Sequence, residues 1–230
     1  LNILYIYIEP EPEPEPESEP EPEPEPEPYT YTQFHNWRKI GDSLYGTIEN
    51  QYFGKASAIN YDGSIFVVGS ITDTGSKVEV LKYNNNGFLH GEYTQIGNDI
   101  TINNTTTGIT NVTIDDSGYI IAYSREDETD VYVHQYNSDT DTWDQLGSTI
   151  TTPNGTNVQY SYLAWQRKRL FIACTDNVYV FKYSEINNDW GLESTIEISG
   201  TTINSIVASK SGSTILFFDS NYDISYTDNG

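Results

Sequence analysis

The stretch Asp62-Gly63-Ser64-Ile65-Phe66-Val67-Val68-Gly69 decides the fold, because it joins a tight turn to an apolar strand. Turn residues followed by β-branched and aromatic residues are typical of strands in hairpins. The same arrangement returns further along the chain, at Ser117-Gly118, at Gln166 and at Ser211-Gly212. A turn-and-strand unit that recurs in this way indicates a repeat architecture.

Three further elements recur around that unit. An aromatic residue, two variable residues, Ile or Leu, and Gly form one element, found at 37–41, 93–97 and 143–147 and in degraded form at Trp190. Alternating strands that end in Tyr83, Tyr136, Tyr183 and Tyr226 form the second. A strand before each turn, at 55–61, 108–114, 158–165 and 202–208, completes the unit. Four short strands in a period of 47 to 56 residues predict a propeller blade.

The sequence therefore predicts an all-β fold, a four-bladed β-propeller with blades at about 42–97, 98–147, 148–192 and 193–230. The segment 34–41 repeats the outermost strand of a blade, so we expect it to complete the last blade and close the ring. The alternative is a larger propeller of which these blades are a part.

Residues 1–8 come before the propeller domain, which we place at 29–230. Only Asn2 interrupts their apolar character, so both faces of a strand formed here are apolar. Such a strand is normally buried on both faces, and an exposed one invites aggregation. We predict a donor strand sheltered by a neighbouring subunit, with an interface made of Leu1, Ile3, Leu4, Tyr5, Ile6, Tyr7 and Ile8.

Residues 9–28 alternate Glu and Pro with one break at Ser18. Proline fixes φ and pushes the preceding residue to extended geometry, which predicts a polyproline II stalk of roughly 60 Å. A disordered acidic linker is the alternative. Candidates for modification are Pro10, Pro12, Pro14, Pro16, Ser18, Pro20, Pro22, Pro24, Pro26 and Pro28.

The first blade resembles the FG-GAP-like repeats of integrin-alpha-type propellers. The motif covers Phe53-Gly54-x-Ala56, Asp62-Gly63, Val67-Val68-Gly69-Ser70, Val78-x-Val80-x-x-Tyr83 and Tyr93-x-x-Ile96-Gly97. The resemblance extends over 34–230, although the Phe-Gly pair is lost in the later blades. It implies an extracellular binding or scaffolding domain, as found in surface proteins and large viruses, and it seldom implies catalysis.

The charge balance argues against nucleic acid as a partner, since the chain has 34 acidic and 11 basic residues and a net charge of −23. No apolar stretch is long enough to span a membrane. The run Arg167-Lys168-Arg169 is expected to be a solvated loop, and Cys174 a buried thiol.

Chemical motifs give weak signals. Integrin-type blades often bind calcium, but Asn137, Asp139 and Asp141 lack the glycine and the bidentate acid of a calcium loop, so a hairpin turn is favoured. The histidines His35, His90 and His134 lack metal-ligand spacing. We therefore predict no cofactor. A stacking surface for sugar formed by Tyr160, Tyr162 and Trp165 is a minor alternative.

Asn-x-Ser/Thr sequons occur at Asn103, Asn104, Asn111 and Asn154, and N-glycosylation at any of them requires a secretory route. The predicted function is that of a non-catalytic structural protein, extracellular or on a cell or virion surface, glycosylated, and polymerised with copies of itself through residues 1–8. Two alternatives are a monomeric adhesion or carbohydrate-binding propeller and a propeller glycoside hydrolase.

Overall fold

A computed structural model describes residues 42–46, 52–85, 91–103, 107–198, 202–221 and 224–228. These residues are almost entirely β-structure, with two short 3-10 turns at Pro153–Gly155 and Trp165–Arg167. The donor strand, the Glu-Pro segment and the proposed closing strand 34–41 lie outside the described residues, so these predictions stay predictions.

The strands form four antiparallel sheets, here numbered 1 to 4 in chain order. Sheet 1 contains β1 (Ala56–Ile59), β2 (Ile65–Thr72), β3 (Gly75–Asn84), β4 (Glu92–Gln95) and β5 (Ile100–Asn103). Sheet 2 contains β6 (Ile109–Ile114), β7 (Ile120–Arg125), β8 (Asp130–Asn137), β9 (Thr142–Gln145) and β10 (Ile150–Thr151). Sheet 3 contains β11 (Tyr160–Ala164), β12 (Arg169–Ala173), β13 (Asn177–Ser184) and β14 (Asp189–Glu197). Sheet 4 contains β15 (Ile203–Ala208), β16 (Thr214–Asp219) and β17 (Ile224–Asp228).

Each sheet is a meander in which consecutive strands pair, as the repeat predicts. The outer position is occupied differently from sheet to sheet. In sheets 1 and 2 two short strands pair with the third strand, β4 and β5 with β3, and β9 and β10 with β8. In sheet 3 the single long strand β14 takes this place, with a bulge opposite Val180 and Phe181. Among the described residues, sheet 4 ends at its third strand.

The core lies between successive sheets, because the strands are apolar on both faces. Sheet 1 presents Ile65 and Val67 to Ile121 and Tyr123 of sheet 2. The opposite face of sheet 2 packs in the same way on sheet 3, and sheet 3 on sheet 4. Burying each large aliphatic side chain contributes about 1.5–3 kcal/mol, so these layers stabilise the stack.

A tryptophan staple joins neighbouring sheets and explains the recurring aromatic-x-x-Ile/Leu-Gly motif. The indole N–H of Trp143 donates to the carbonyl of Ile96, 2.9 Å away in the preceding sheet. Trp190 donates likewise to Leu146 at 2.8 Å. The glycine that follows adopts a positive φ, 70° at Gly97, and a Cβ there would lie 2.6 Å from the Trp143 ring. The motif therefore needs glycine both for its backbone and for the space that the next tryptophan occupies.

The turns between the first two strands of sheets 1, 2 and 4 are closed by a polar side chain, whereas the corresponding turn of sheet 3 is the 3-10 turn Trp165–Arg167. Asp115 accepts the backbone N–H groups of Tyr119 and Ile120, both at 2.9 Å. Asn60 does the same for Ile65 in sheet 1. Short Asp and Asn side chains favour such turns, which is why the turn-and-strand unit recurs. We call the end of the sheets that carries these turns the turn end.

Candidate functional site

Three residues from different sheets meet at the turn end. The Lys210 ammonium, from sheet 4, lies 3.1 Å from the Asp116 carboxylate of sheet 2. The same ammonium lies 4.4 Å from the centre of the Tyr61 ring of sheet 1. Sheet 4 thus reaches sheets 1 and 2 through one side chain, which requires the turns to converge. We call Tyr61, Asp116 and Lys210 the axial cluster.

The axial cluster combines an exposed aromatic ring, a cation and a carboxylate. Tyr61 is 79% exposed, so its ring is open to a ligand. Tyr162 lies near enough to feel the Asp116 charge, and burial first and Asp116 second raise the pKa of its phenol. The cluster can hydrogen-bond and stack against a polar ligand. No sequence motif pointed to it, since its members belong to separate repeats.

The structure divides the three aromatic residues of the predicted sugar surface between two layers. Tyr160 and Tyr162 pack on the core between sheets 3 and 4. Trp165 packs on the core between sheets 2 and 3, with its ring centre 6.3 Å from that of Trp190. A single stacking surface made of the three is therefore wrong, because turn 165–167 carries Trp165 to the other face of sheet 3.

A cleft of about 320 Å³ opens beside the β8–β9 hairpin. Its wall is polar and includes Asn137 and Asp144. Hydrogen bonds from Asn137 and Thr142 lower the pKa of the Asp144 carboxyl, so it stays ionised. The residues lining the cleft are Gln135, Tyr136, Asn137, Ser138, Asp144, Gln145 and Leu146.

The hairpin interpretation of Asn137, Asp139 and Asp141 is confirmed, since Asn137 ends β8 and the two aspartates lie between β8 and β9. Asp141 is more than a solvated acid, because it accepts the Gly97 N–H of sheet 1 at 3.0 Å and the Tyr136 hydroxyl at 2.7 Å. In the described part of the chain, no group of three His, Cys, Asp or Glu is placed to hold a metal ion.

Of the three histidines, His134 is described, and it is buried within sheet 2. Its ring stacks on Tyr123 with centres 5.5 Å apart. Burial lowers the pKa of His134 to about 4, although Asp144 acts in the opposite direction. His35 and His90 lie outside the described residues. Cys174 is fully buried, as predicted.

The prediction of a solvated loop at Arg167-Lys168-Arg169 is wrong for Arg169, which is 7% exposed. Its guanidinium forms two bonds to the Glu193 carboxylate, at 2.6 and 2.9 Å. It also donates to the Gly212 carbonyl of sheet 4 at 2.8 Å. Arg169 is buried because a matched acid and a carbonyl satisfy its donors.

The sequons fall in different environments. Asn103 ends β5 and is exposed, and Asn154 is exposed in the 3-10 turn after β10. Asn111 is half-buried on β6, where its amide oxygen accepts the Ser161 hydroxyl of sheet 3 at 2.6 Å. Asn104 and the predicted interface residues Leu1 to Ile8 lie outside the described residues.

The outer strand β14 differs from its counterparts in having a continuous edge. The motif glycine of Gly97 and Gly147 is replaced by Ser194, so the nine-residue strand is not broken by a positive φ. Of the described residues, none pairs with its outer edge. Leu192 on this strand is 49% exposed.

Comparisons with known proteins show the fold alone. No family model matches the chain, and no curated protein matches it by sequence. The structure is similar to the β-propeller domain of Myceliophteria thermophila Cps50 (Swd1), with TM-score 0.57 and 8% identity over 77% of this chain and 53% of that one. It is also similar to the Dos1 propeller, with TM-score 0.54 and 15% identity over 77% and 42%.

A candidate 6-phosphogluconolactonase of Bacteroides uniformis has TM-score 0.54 and 14% identity over 75% of this chain and 49% of that one. The chain thus spans about half the length of the structures it matches. These similarities support a propeller-like fold, whereas the FG-GAP-type resemblance stays a prediction. No helix among the described residues is long and apolar enough to cross a bilayer.

Proposed function

We propose that this chain is a non-catalytic, extracellular structural protein, whose copies join through strands donated from residues 1–8. The propeller is the rigid body of the subunit, and the Glu-Pro segment spaces the strand from it. One structural observation carries the proposal: β14 is a nine-residue strand whose outer edge pairs with none of the described residues, and it is long enough for an eight-residue donor. Strand addition at such an edge supplies main-chain hydrogen bonds.

The ring of the subunit closes at four blades through residues 34–41. Trp37-x-x-Ile40-Gly41 has the outer-strand motif that sheet 4 lacks among the described residues. The axial cluster supports the small ring, because Lys210 of sheet 4 reaches Tyr61 of sheet 1. Closing a ring by pairing the first strand with the last sheet removes both free edges.

The length of the Glu-Pro segment is sufficient for donation of the strand to a neighbouring subunit. The segment 9–28 reaches roughly 60 Å when extended. A propeller of this size is about 40 Å across, so the donor strand can pass beyond its own body. A head-to-tail contact that does not close on itself generates a filament.

The register of β14 identifies the atoms that a donor strand would meet. The N–H of Ile198 bonds to the Asp176 carbonyl at 2.8 Å, so Ile198 belongs to a hydrogen-bonded pair. Such pairs alternate along an antiparallel ladder, which directs the N–H groups of Thr195 and Glu197 outward. Proline is tolerated where its missing N–H faces solvent, so Thr195→Pro blocks the edge without removing a bond to β13.

The test compares three proteins by electron microscopy and sedimentation: the full chain, the chain without residues 1–8, and Thr195→Pro. We expect filaments from the full chain and single subunits from the other two. Thr195→Val keeps the N–H and is the matched control, expected to assemble. Filaments from the truncated chain would refute strand donation. Filaments from Thr195→Pro, with none from the truncated chain, would show that the acceptor edge is not β14.

A second candidate function is binding of a polar ligand, such as a carbohydrate, at the axial cluster. The observation that favours it is the exposed Tyr61 ring beside Lys210 and Asp116. Glycan-array binding that is lost in Tyr61→Ala, and retained in Tyr52→Ala, would support it. Hydrolysis of a bound glycan would instead support the hydrolase alternative.

A further inference from the structure

We infer that Asn103 and Asn154 carry N-linked glycans and that Asn111 does not. The inference rests on the extracellular location in the proposed function, and it goes beyond it by assigning the modified residues. In the transfer, Nδ2 of asparagine bonds to the anomeric carbon of a lipid-linked oligosaccharide. The bond from that carbon to the lipid pyrophosphate breaks, its electron pair leaves on the pyrophosphate, and the amide loses one proton.

Asn111 is excluded by the packing between sheets 2 and 3. Its side chain is half-buried on the first strand of sheet 2, and its oxygen accepts the Ser161 hydroxyl at 2.6 Å. The hydroxyl residue of this sequon, Thr113, is 6% exposed and accepts the Leu163 N–H at 3.1 Å. A glycan at Asn111 would have to lie between two packed sheets, so a chain that carried it could not form this interface.

Asn154 satisfies the opposite conditions. It lies in the 3-10 turn Pro153–Gly155, with φ of 64°, and its side chain is exposed. The turn is closed by a hydrogen bond in which the Thr152 hydroxyl donates to the Thr156 carbonyl at 2.5 Å. The turn therefore keeps its shape without help from the Asn154 amide, and this leaves the amide free to carry a sugar.

Asn103 is the exposed last residue of β5. It pairs with Gly75, which opens β3 at the hairpin between the second and third strands of sheet 1. Asn154 follows β10, whose Thr151 pairs with Asp130 at the corresponding hairpin of sheet 2. The two sequons thus occupy related places in successive sheets.

That shared place lies opposite the turn end. Strand β2 begins near the turn at Asn60 and ends at the hairpin beside Asn103, so the two features are at opposite ends of the same strand. Glycans at Asn103 and Asn154 therefore cover the hairpin end and leave the axial cluster exposed. Partner contacts of the propeller body are then restricted to the turn end and to the strand edges.

The experiment expresses the full chain as a secreted protein in a glycosylating eukaryotic host. Enzymatic deglycosylation in heavy-oxygen water labels each occupied asparagine as aspartate, and peptide mass spectrometry locates the labels. Asn104→Gln isolates the first sequon from its overlapping neighbour. We expect label at Asn103 and Asn154 and none at Asn111, with loss of one glycan mass in Asn103→Gln/Asn104→Gln and one in Asn154→Gln.

Label at Asn111 in folded protein would overturn the inference, and so would an unlabelled Asn103 or Asn154. Asn111→Gln is expected to leave the glycan mass unchanged, which separates a structural role from a modification. The result does not depend on filament formation, because the host imposes the secretory route. Loss of assembly with the expected labels would count against the proposed function alone.

Discussion

One repeat position makes different polar contacts at different interfaces between the sheets. Between sheets 1 and 2, and between sheets 2 and 3, a tryptophan N–H bonds to the carbonyl before a glycine. Between sheets 3 and 4 that glycine is replaced by Ser194, and Arg169 bridges Glu193 to the Gly212 carbonyl instead. The same repeat position thus uses a tryptophan hydrogen bond at two interfaces, and at the third a hydrogen bond from Arg169, which is held by an ion pair within sheet 3.

The replacement is a coordinated one. Ile65, Ile120 and Arg169 each pair with the residue before the tyrosine that ends the third strand. Ile96, Leu146 and Glu193 each follow the outer-strand aromatic by three positions. In sheets 1 and 2 these two positions share an apolar core, whereas in sheet 3 they form the Arg169–Glu193 pair. In sheet 3 the ion pair therefore takes the place of both members of the apolar contact.

The largest expected effect comes from removing a staple. Trp143→Ala deletes a ring that is nearly buried and packs on both Gly97 and Tyr136. We expect the free energy of unfolding to fall by about 3–5 kcal/mol, measured by urea denaturation. Trp143→Phe keeps most of the packing and loses the indole bond, so its expected cost is about 1–2 kcal/mol. Equal losses in the two variants would show that packing is not the main contribution.

Adding a methyl group at a motif glycine is expected to destabilise the fold somewhat less than removing the tryptophan ring. In Gly147→Ala the new Cβ would lie 2.8 Å from Trp190, at a backbone φ of 75°. Left-handed geometry and overpacking together predict a loss of about 2–4 kcal/mol in unfolding free energy. The matched control is Ser194→Ala at the corresponding position of sheet 3, expected within about 0.5 kcal/mol of the parent. A large loss in the control would contradict the distinction between the interfaces.

The third prediction concerns the contribution of the Arg169–Glu193 ion pair to the free energy of unfolding. Arg169→Met leaves the Gly212 carbonyl without this donor and leaves the partly buried Glu193 with only the longer contact to Lys182, at 3.7 Å, so we expect a loss of about 2–3 kcal/mol. The double variant Arg169→Met/Glu193→Leu restores the apolar pair of the other sheets and is expected to recover most of that stability. A double-mutant cycle in urea measures the coupling. If the double variant is no better than Arg169→Met, the two positions are not exchangeable with their apolar counterparts.

The sequence alone predicts the repeating parts of this molecule well. Strand positions, turns and the motif glycines follow from local patterns, since the copies share the same alternation and those of sheets 1, 2 and 4 share the same turn chemistry. What it could not predict depends on contacts between copies. In the sequence, Arg169 looks like part of a solvated charge run, and only the structure places Glu193 beside it. The sequence does show that each of the two residues stands where the repeats of sheets 1 and 2 have Ile or Leu. The axial cluster gave no signal, because Tyr61, Asp116 and Lys210 are brought together only by the convergence of turns.

The smallest expected effect is a pH dependence that sharpens the contrast between the interfaces. His134 stacks on Tyr123, which belongs to the core between the stapled sheets 1 and 2, and burial lowers the pKa of His134 from 6.5 to about 4. The unfolded chain therefore binds a proton below pH 6.5 that the folded chain rejects until about pH 4, so stability falls as the pH drops through this window. At pH 5 the expected loss is about 1–2 kcal/mol relative to pH 7.

Glu193 behaves differently, because the hydrogen bond from Arg169 lowers its carboxyl pKa below 4.5. Its contribution is complete above that value and is lost as the pH falls through the lowered pKa, so it changes only in more acidic solution. His134→Gln should therefore flatten the stability profile between pH 6.5 and 4 and leave the Glu193 decline in place. If the parent and His134→Gln have parallel stability profiles in that window, the buried imidazole is not what makes the interface between sheets 1 and 2 sensitive to acid.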